Sequence, residues 1–242
     1  MSLVPVVRRL SRKVGKMSFS GEVTHVYNPL VYARAPHEAY LERFGAGTPR
    51  VLFMGMNPGP WGMAQTGVPF GEVAAVRDWM GLEAPVKKPK IEHPKRPIEG
   101  FACTRSEVSG RRLWGLFAER FGTAEAFFEQ HFIYNYCPLV FMAESGRNVT
   151  PDKLLLAERA PLTAACDKSL AEVVAVLKPE WFVAVGAYAE KRAKTVFAEE
   201  IEAGELKLAR ILHPSPASPA ANRDWVGTAT RQLEEAGVWE VR

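Results

Sequence analysis

Four short apolar runs, each rich in β-branched or aromatic residues, constrain this chain more than any other feature. They occupy residues 51–55 (VLFMG), 131–136 (HFIYNY), 181–186 (WFVAVG) and 208–213 (LARILH), and their length and near-continuous apolar character read as strands buried in a parallel sheet. Helix-length stretches separate them, at 37–44, 72–80, 110–121, 124–130, 151–177 with a break expected near Pro161, 187–199 and 222–236. Parallel neighbours need long crossovers, so the alternation predicts an α/β fold: a three-layer αβα sandwich around a short, mainly parallel four-stranded sheet. A chain of 242 residues suits one domain, here 1–242 with a core over about 19–236.

Ligands of such sheets bind outside the carboxyl ends of the strands. The first run leads into Met56-Asn57-Pro58-Gly59, the second ends on Asn135-Tyr136-Cys137-Pro138, and the last on His213-Pro214-Ser215-Pro216. Three polar side chains therefore converge on one rim. The third run ends on Gly186, which reads as a crossover without a catalytic part. Residues 83–100 (EAPVKKPKIEHPKRPIEG) carry Pro and Lys without periodicity and are expected to form a long surface loop.

The balance of 31 basic against 27 acidic residues, net +4, is compatible with nucleic acid but too mild to establish it. Basic residues gather at Arg8 to Lys16, Lys87 to Arg96, and around Arg105, Arg111 and Arg112, where they could meet phosphates or serve as solvated surface. Cys103, Cys137 and Cys166 form no CxxC pair and the five histidines show no zinc-ligand spacing, so no metal, cluster or other cofactor is expected. No run reaches the roughly 18 apolar residues of a membrane span, and no signal peptide is read at the N-terminus. The expected setting is a reducing cytosol or nucleoid, or a nucleus in a eukaryote, with the protein acting as a monomer away from membranes.

The densest motif is residues 55–73, GMNPGPWGMAQTGVPFGEV, between a strand and a helix. Its Gly and Pro content fixes an irregular backbone that a ligand can approach closely. The order of this motif, with VRDW at 76–79, EHPKRP at 92–97, SEVSG at 106–110, Asn135 with CPL at 137–139, SGRN at 145–148 and HPSP at 213–216, resembles the single-strand-selective monofunctional uracil-DNA glycosylases. The resemblance spans about 19–236. It implies a base-excision repair enzyme that flips uracil, and also 5-hydroxymethyluracil, from single- or double-stranded DNA and hydrolyses the glycosidic bond without a metal.

Such chemistry needs a positioned water and a donor at the departing base, because positive charge develops on the sugar and negative charge on the pyrimidine. The resemblance gives the water to Asn57 and the O2 anion to His213. Asn135 suits the base: one carboxamide offers an acceptor and a donor matching uracil N3–H and O4, the reverse of what cytosine needs. Phe70 matches the stacking platform, the Met56 amide a second donor, and Gly59 with Met63 the C5 side of the base. Pro214, Ser215, Pro216, Ala217 and Ser218 match a loop that wedges into duplex DNA, and the stretch Arg147 to Pro161, opening with Arg147 and Asn148, matches a helical DNA-contacting element. Ala217 and Ser218 depart from the family, where a larger Arg-Asn pair is typical. A smaller wedge favours single strands or mismatched sites unless Arg223 or Trp225 compensates.

Taken singly, these residues have plain structural readings. Asn57 suits a turn before proline, Asn135 a buried strand end, Phe70 the core, and His213 a structural contact. Three other functions stay open: a non-catalytic DNA-damage binding module, a relative directed at other deaminated bases, and a nucleotide hydrolase using 59–71 as a phosphate loop. The last lacks a Walker-type Gly-Lys-Ser/Thr.

Overall fold

A computed structural model of the chain describes residues 2–241. Seven strands are numbered in chain order: β1 His25–Tyr27, β2 Val51–Gly55, β3 His131–Asn135, β4 Val140–Met142, β5 Asn148–Val149, β6 Trp181–Val185 and β7 Lys207–Ile211. The larger sheet has the order β3-β2-β6-β7, with every neighbouring pair parallel. All four are the strands read from sequence, shifted at their ends by at most two residues. Every residue of β2 and β3 is buried, which is what apolar runs without alternation require in a sheet covered on both faces. The edge strand β7 instead alternates, with Ala209 and Ile211 buried and Lys207 and Arg210 exposed.

The order has a functional consequence. From β2 the chain moves to β3 on one side, then crosses back over β2 to reach β6 on the other. This reversal opens a crevice at the carboxyl ends beside β2. The register pairs Gly55 with Asn135, so the last residue of β2 lies directly beside the last residue of β3.

A second, antiparallel sheet, β1-β4-β5, was not read from the sequence. Its strands are two or three residues long, too short for a period to show. A further surprise is the N-terminal helix Leu3–Val14, whose Leu3, Val7, Leu10 and Val14 recur at helical spacing and are buried. Arg8 and Arg9 on its outer face pair with Glu38 and Glu172 at 2.6 Å each, so these two cations of the basic N-terminus already have protein partners. The main apolar cluster runs from Leu3 to Trp239, beyond both ends of the expected 19–236 core.

Helix bounds depart from expectation where local chemistry intervenes. The stretch 151–177 does break, but ahead of Pro161: a 3-10 turn, Pro151–Lys153, precedes the helix Leu156–Leu177, which carries Pro161 inside it. Pro161 is the sixth residue of that helix, past the unpaired first turn, and having no N–H it leaves the Ala157 carbonyl without its intrahelical donor. Residues 75–79 form a π-helical turn within the stretch expected to be α-helical. The 83–100 loop lacks helix and strand up to its last residue, yet is pinned. Buried Gln65 donates to the carbonyls of Pro60 and Pro97 at 3.0 Å each and accepts from the amides of Glu99 and Gly100, tying the loop to the 55–73 motif. Buried His93 adds a second anchor, its backbone amide donating to the Tyr27 hydroxyl at 2.7 Å.

Candidate active site

A cavity of about 340 Å³ opens at the carboxyl rim, with Asn57, Gly59, Met63, Phe70, Asn135 and His213 in its wall. The convergence expected from three strand ends is therefore realised in space. Met56 also lines it, its carbonyl accepting from the Cys137 amide at 2.8 Å, which extends the β2–β3 pairing past the strand ends.

Two glycines shape the site. A Cβ on Gly55 would lie 2.6 Å from both the Asn135 Oδ1 and the Phe70 ring, so only the bare backbone lets these two side chains converge. Gly186, expected to be inert, has a similar task. It adopts φ 93°, and a Cβ there would stand 3.1 Å from that of His213. The third strand end thus shapes the rim by leaving space for His213.

Asn135 is buried, its Nδ2 donating to the Met63 sulfur at 3.3 Å. Its Oδ1 is shielded from solvent and has no hydrogen-bond partner among the described residues. A buried acceptor left unsatisfied is destabilising, so the position asks for a donor from a ligand. Phe70 holds a left-handed backbone, φ 53°, and its carbonyl accepts from Trp114 Nε1 at 3.1 Å. Such backbone strain in a non-glycine residue is maintained by surrounding structure and gathers at functional sites. Its ring centroid lies 6.2 Å from that of His213, at 44°. Burial alone lowers the His213 pKa to about 4, so the imidazole is neutral near pH 7 and carries one N–H to donate. Among the described residues, both hydrogen bonds of the Asn57 side chain run from its amide nitrogen, to the carbonyls of Leu139 at 3.3 Å and Pro58 at 3.4 Å, leaving its oxygen able to accept from water.

The cavity wall also contains Glu107 and Ser109, to which the sequence reading gave no role, and Thr150 from the stretch expected to contact DNA. Glu107 Oε2 accepts from the Trp61 amide at 3.3 Å, and burial raises its pKa. A Cβ on Gly59 would meet that oxygen at 2.3 Å, so the bare backbone at 59 makes room for the carboxyl. The SEVSG motif at 106–110 was the available signal, but a motif alone does not show which side chain faces a pocket.

The proposed DNA-contacting parts divide. Ser215 and Pro216 line the cavity, while Ala217 is exposed at the loop. The loop is preorganised: Arg112 donates to the carbonyls of Pro214 and Ser215, Asn222 to that of Pro216, and Ser218 caps the helix Pro219–Glu235. Arg112, read as either a phosphate contact or solvated surface, is thus a brace for this loop. Trp225 is buried and donates to the Leu212 carbonyl at 2.7 Å, so it is unavailable as a substitute wedge; Arg223 is exposed. Around Arg147 the expected helical contact gives way to β5 and the 3-10 turn, because Asn148 pairs with Met142 in the small sheet. Arg147 is exposed and ion-paired with Glu22, whereas Asn148 lines the cavity with its Oδ1 buried and unpartnered among the described residues.

The sequence matches the Uracil DNA glycosylase superfamily over residues 42–234. It is 48% identical over 230 residues to the single-strand selective monofunctional uracil DNA glycosylase of Bos taurus, covering 95% of this chain and 84% of that protein. The Mus musculus protein of the same name is 46% identical over 230 residues, covering 95% and 82%. Among solved structures, wild-type SMUG2 of Pedobacter heparinus superposes with TM-score 0.65 at 18% identity, covering 99% of this chain and 100% of that one, a likeness of fold.

Proposed function

The chain belongs to the uracil-DNA glycosylase superfamily, and from that membership we propose that it excises uracil from DNA as a monofunctional glycosylase. Water adds to the sugar C1′ as the bond to uracil N1 breaks. The base departs as an anion that later takes a proton, and an abasic site remains. Asn57 holds the water through its side-chain oxygen, which suits a dissociative reaction in which the cationic sugar needs little nucleophilic help. His213, neutral because it is buried, donates to uracil O2 as negative charge gathers there.

The observation that carries this reading is Asn135. Its unpartnered Oδ1 offers an acceptor for uracil N3–H, while Nδ2, held only by the weak sulfur acceptor of Met63, is free to turn to O4. Cytosine would set its unprotonated N3 against Oδ1 and its amino group against Nδ2, a mismatch that a dry pocket penalises strongly. Phe70 stacks on the base, worth about 1 to 3 kcal/mol.

The same wall supports a finer reading of the substrate range. The Met63–Asn135 contact puts Met63 next to the O4 edge, hence toward C5, with Gly59 lining the same cavity. The Glu107 carboxyl, packed against the bare backbone of Gly59, is a polar group in this wall and supports 5-hydroxymethyluracil as a further substrate. The small Ala217 at the loop supports stronger action on single strands than on duplex. Incubation with a uracil-containing oligonucleotide should release free uracil and leave an alkali-labile site, without a borohydride-trapped adduct. Trapping of the enzyme on DNA would replace simple hydrolysis with a covalent route, and intact substrate would remove the activity.

A further inference from the structure

Trp61 stands one residue beyond Pro58, Gly59 and Pro60 in the cavity wall, and its amide is bound to Glu107 in the same wall. Two guanidinium groups lie against its indole, Arg96 with Cζ 5.1 Å from the ring centroid and Arg105 at 4.7 Å. A ring that holds two arginines gathers like charges that repel one another. Among the described residues no carboxylate forms an ion pair with either, in contrast to Arg8, Arg9, Arg43 and Arg192, all of which are paired. Among the same residues the exposed Arg105 side chain makes no hydrogen bond, and Arg96 donates Nη1 to the Lys95 carbonyl at 2.9 Å while its Nη2 makes no hydrogen bond and its Nε is buried without a partner. Two cations are therefore held in place, with donors unspent, beside the mouth of the pocket.

We propose that Trp61, Arg96 and Arg105 form a binding platform for the phosphodiester backbone of the DNA strand that carries the flipped nucleotide. The occupant follows from chemistry and position. A phosphodiester supplies the missing negative charge and accepts the paired N–H groups of a guanidinium fork. The indole holds both forks in advance, so little rotamer freedom is lost on binding. The nucleotide whose base enters the cavity must leave its own strand passing over the adjoining wall, where the platform lies. The Ser215–Pro216 loop lines the same cavity, so the strand would be gripped by parts remote from one another in sequence.

The inference rests on the reading of the protein as a DNA glycosylase, and the test separates the two. Binding of a single-stranded oligonucleotide carrying 2′-fluoro-2′-deoxyuridine, which resists cleavage, is followed by fluorescence anisotropy over a range of salt concentrations. R96A and R105A should each raise Kd several-fold and lower the salt slope by about 0.7, the share of one neutralised phosphate on a single strand. R105E should bind more weakly still. W61L, which keeps both charges but removes their support, should weaken binding with little change in slope. The same weakening should recur on an undamaged strand, because phosphate contacts carry no base information. Arg105 is exposed, so R105A and R105E report even if R96A folds poorly. Wild-type Kd and salt slope in R105A and R105E would overturn the platform, as would a weakening seen only in duplex. Failure of the wild-type protein to release uracil would overturn the glycosylase reading instead, and the same binding series would still decide the platform.

Discussion

At the scale of single residues, the proposed recognition of uracil depends on the direction in which one carboxamide presents its two ends. Asn135 is fixed between β3 and the Phe70 ring by the absence of a side chain at Gly55, with its oxygen unpartnered. Asn135→Asp removes the donor to uracil O4 and places a carboxylate against the base. Uracil excision should fall by about two orders of magnitude, the scale of losing one polar interaction in a dry site, and cytosine should gain in relative rate. Release of uracil and cytosine from matched oligonucleotides checks this, and an unchanged uracil rate would exclude Asn135 from reading the base. Asn57, His213, Phe70 and Asn135 were legible in sequence, three of them at or just beyond a strand end and Phe70 within the dense motif that follows β2, and all four line the cavity. Glu107 was not, since it precedes a helix remote from the strand ends and its place in the wall depends on tertiary contacts of its carboxyl, with the Trp61 amide and the bare backbone at Gly59.

At the scale of elements, the four parallel strands were legible because burial on both faces leaves an apolar run that needs no partner to be seen. The small antiparallel sheet was invisible for the opposite reason: β5 has two residues and gains its meaning only from pairing with β4. That pairing turns Asn148 into the cavity and displaces the helix expected there. The loop at 214–218 shows how an element can be rigid and yet present little bulk. Arg112, Asn222 and the Ser218 cap hold its backbone, but Ala217 offers only a methyl group to fill a gap in a base stack. Ala217→Arg should therefore raise the rate on uracil in duplex DNA relative to single-stranded DNA, by severalfold, since a larger wedge offsets part of the unstacking. Paired single-turnover assays on the two substrates measure the ratio. A ratio equal to that of the wild type would show that the wedge is not what limits action on duplex.

Across the whole molecule, burial holds three histidines near pKa 4, below their ordinary value of 6.5: His37, His131 and His213. Between about pH 6.5 and 4 the unfolded chain binds more protons at these sites than the folded one, so stability falls as pH falls through this window. Two of them join distant parts of the chain. His37 Nδ1 meets the Gly67 carbonyl at 2.7 Å, beside the pocket segment, and His131 Nε2 accepts from Trp239 Nε1 at 3.1 Å near the C-terminus. Protonating His131 removes the lone pair that Trp239 uses. Thermal melts should give a Tm that is nearly level above pH 7 and declines from pH 6.5 to 4; a flat Tm over that range would contradict neutral, buried imidazoles.

In the proposed reaction the rim cavity lined by Asn57 and His213 is the place where the glycosidic bond should be cut. Single-turnover release of uracil from a single-stranded oligonucleotide by the wild type, Asn57→Ala and His213→Ala tests this most directly. The rate should drop about a hundredfold for Asn57→Ala, where the nucleophile is misplaced, and about a hundred- to a thousandfold for His213→Ala, where transition-state charge loses its donor. Affinity for a non-cleavable uracil-containing strand should change far less than the rate. Wild-type rates in both variants would place the chemistry elsewhere in the molecule.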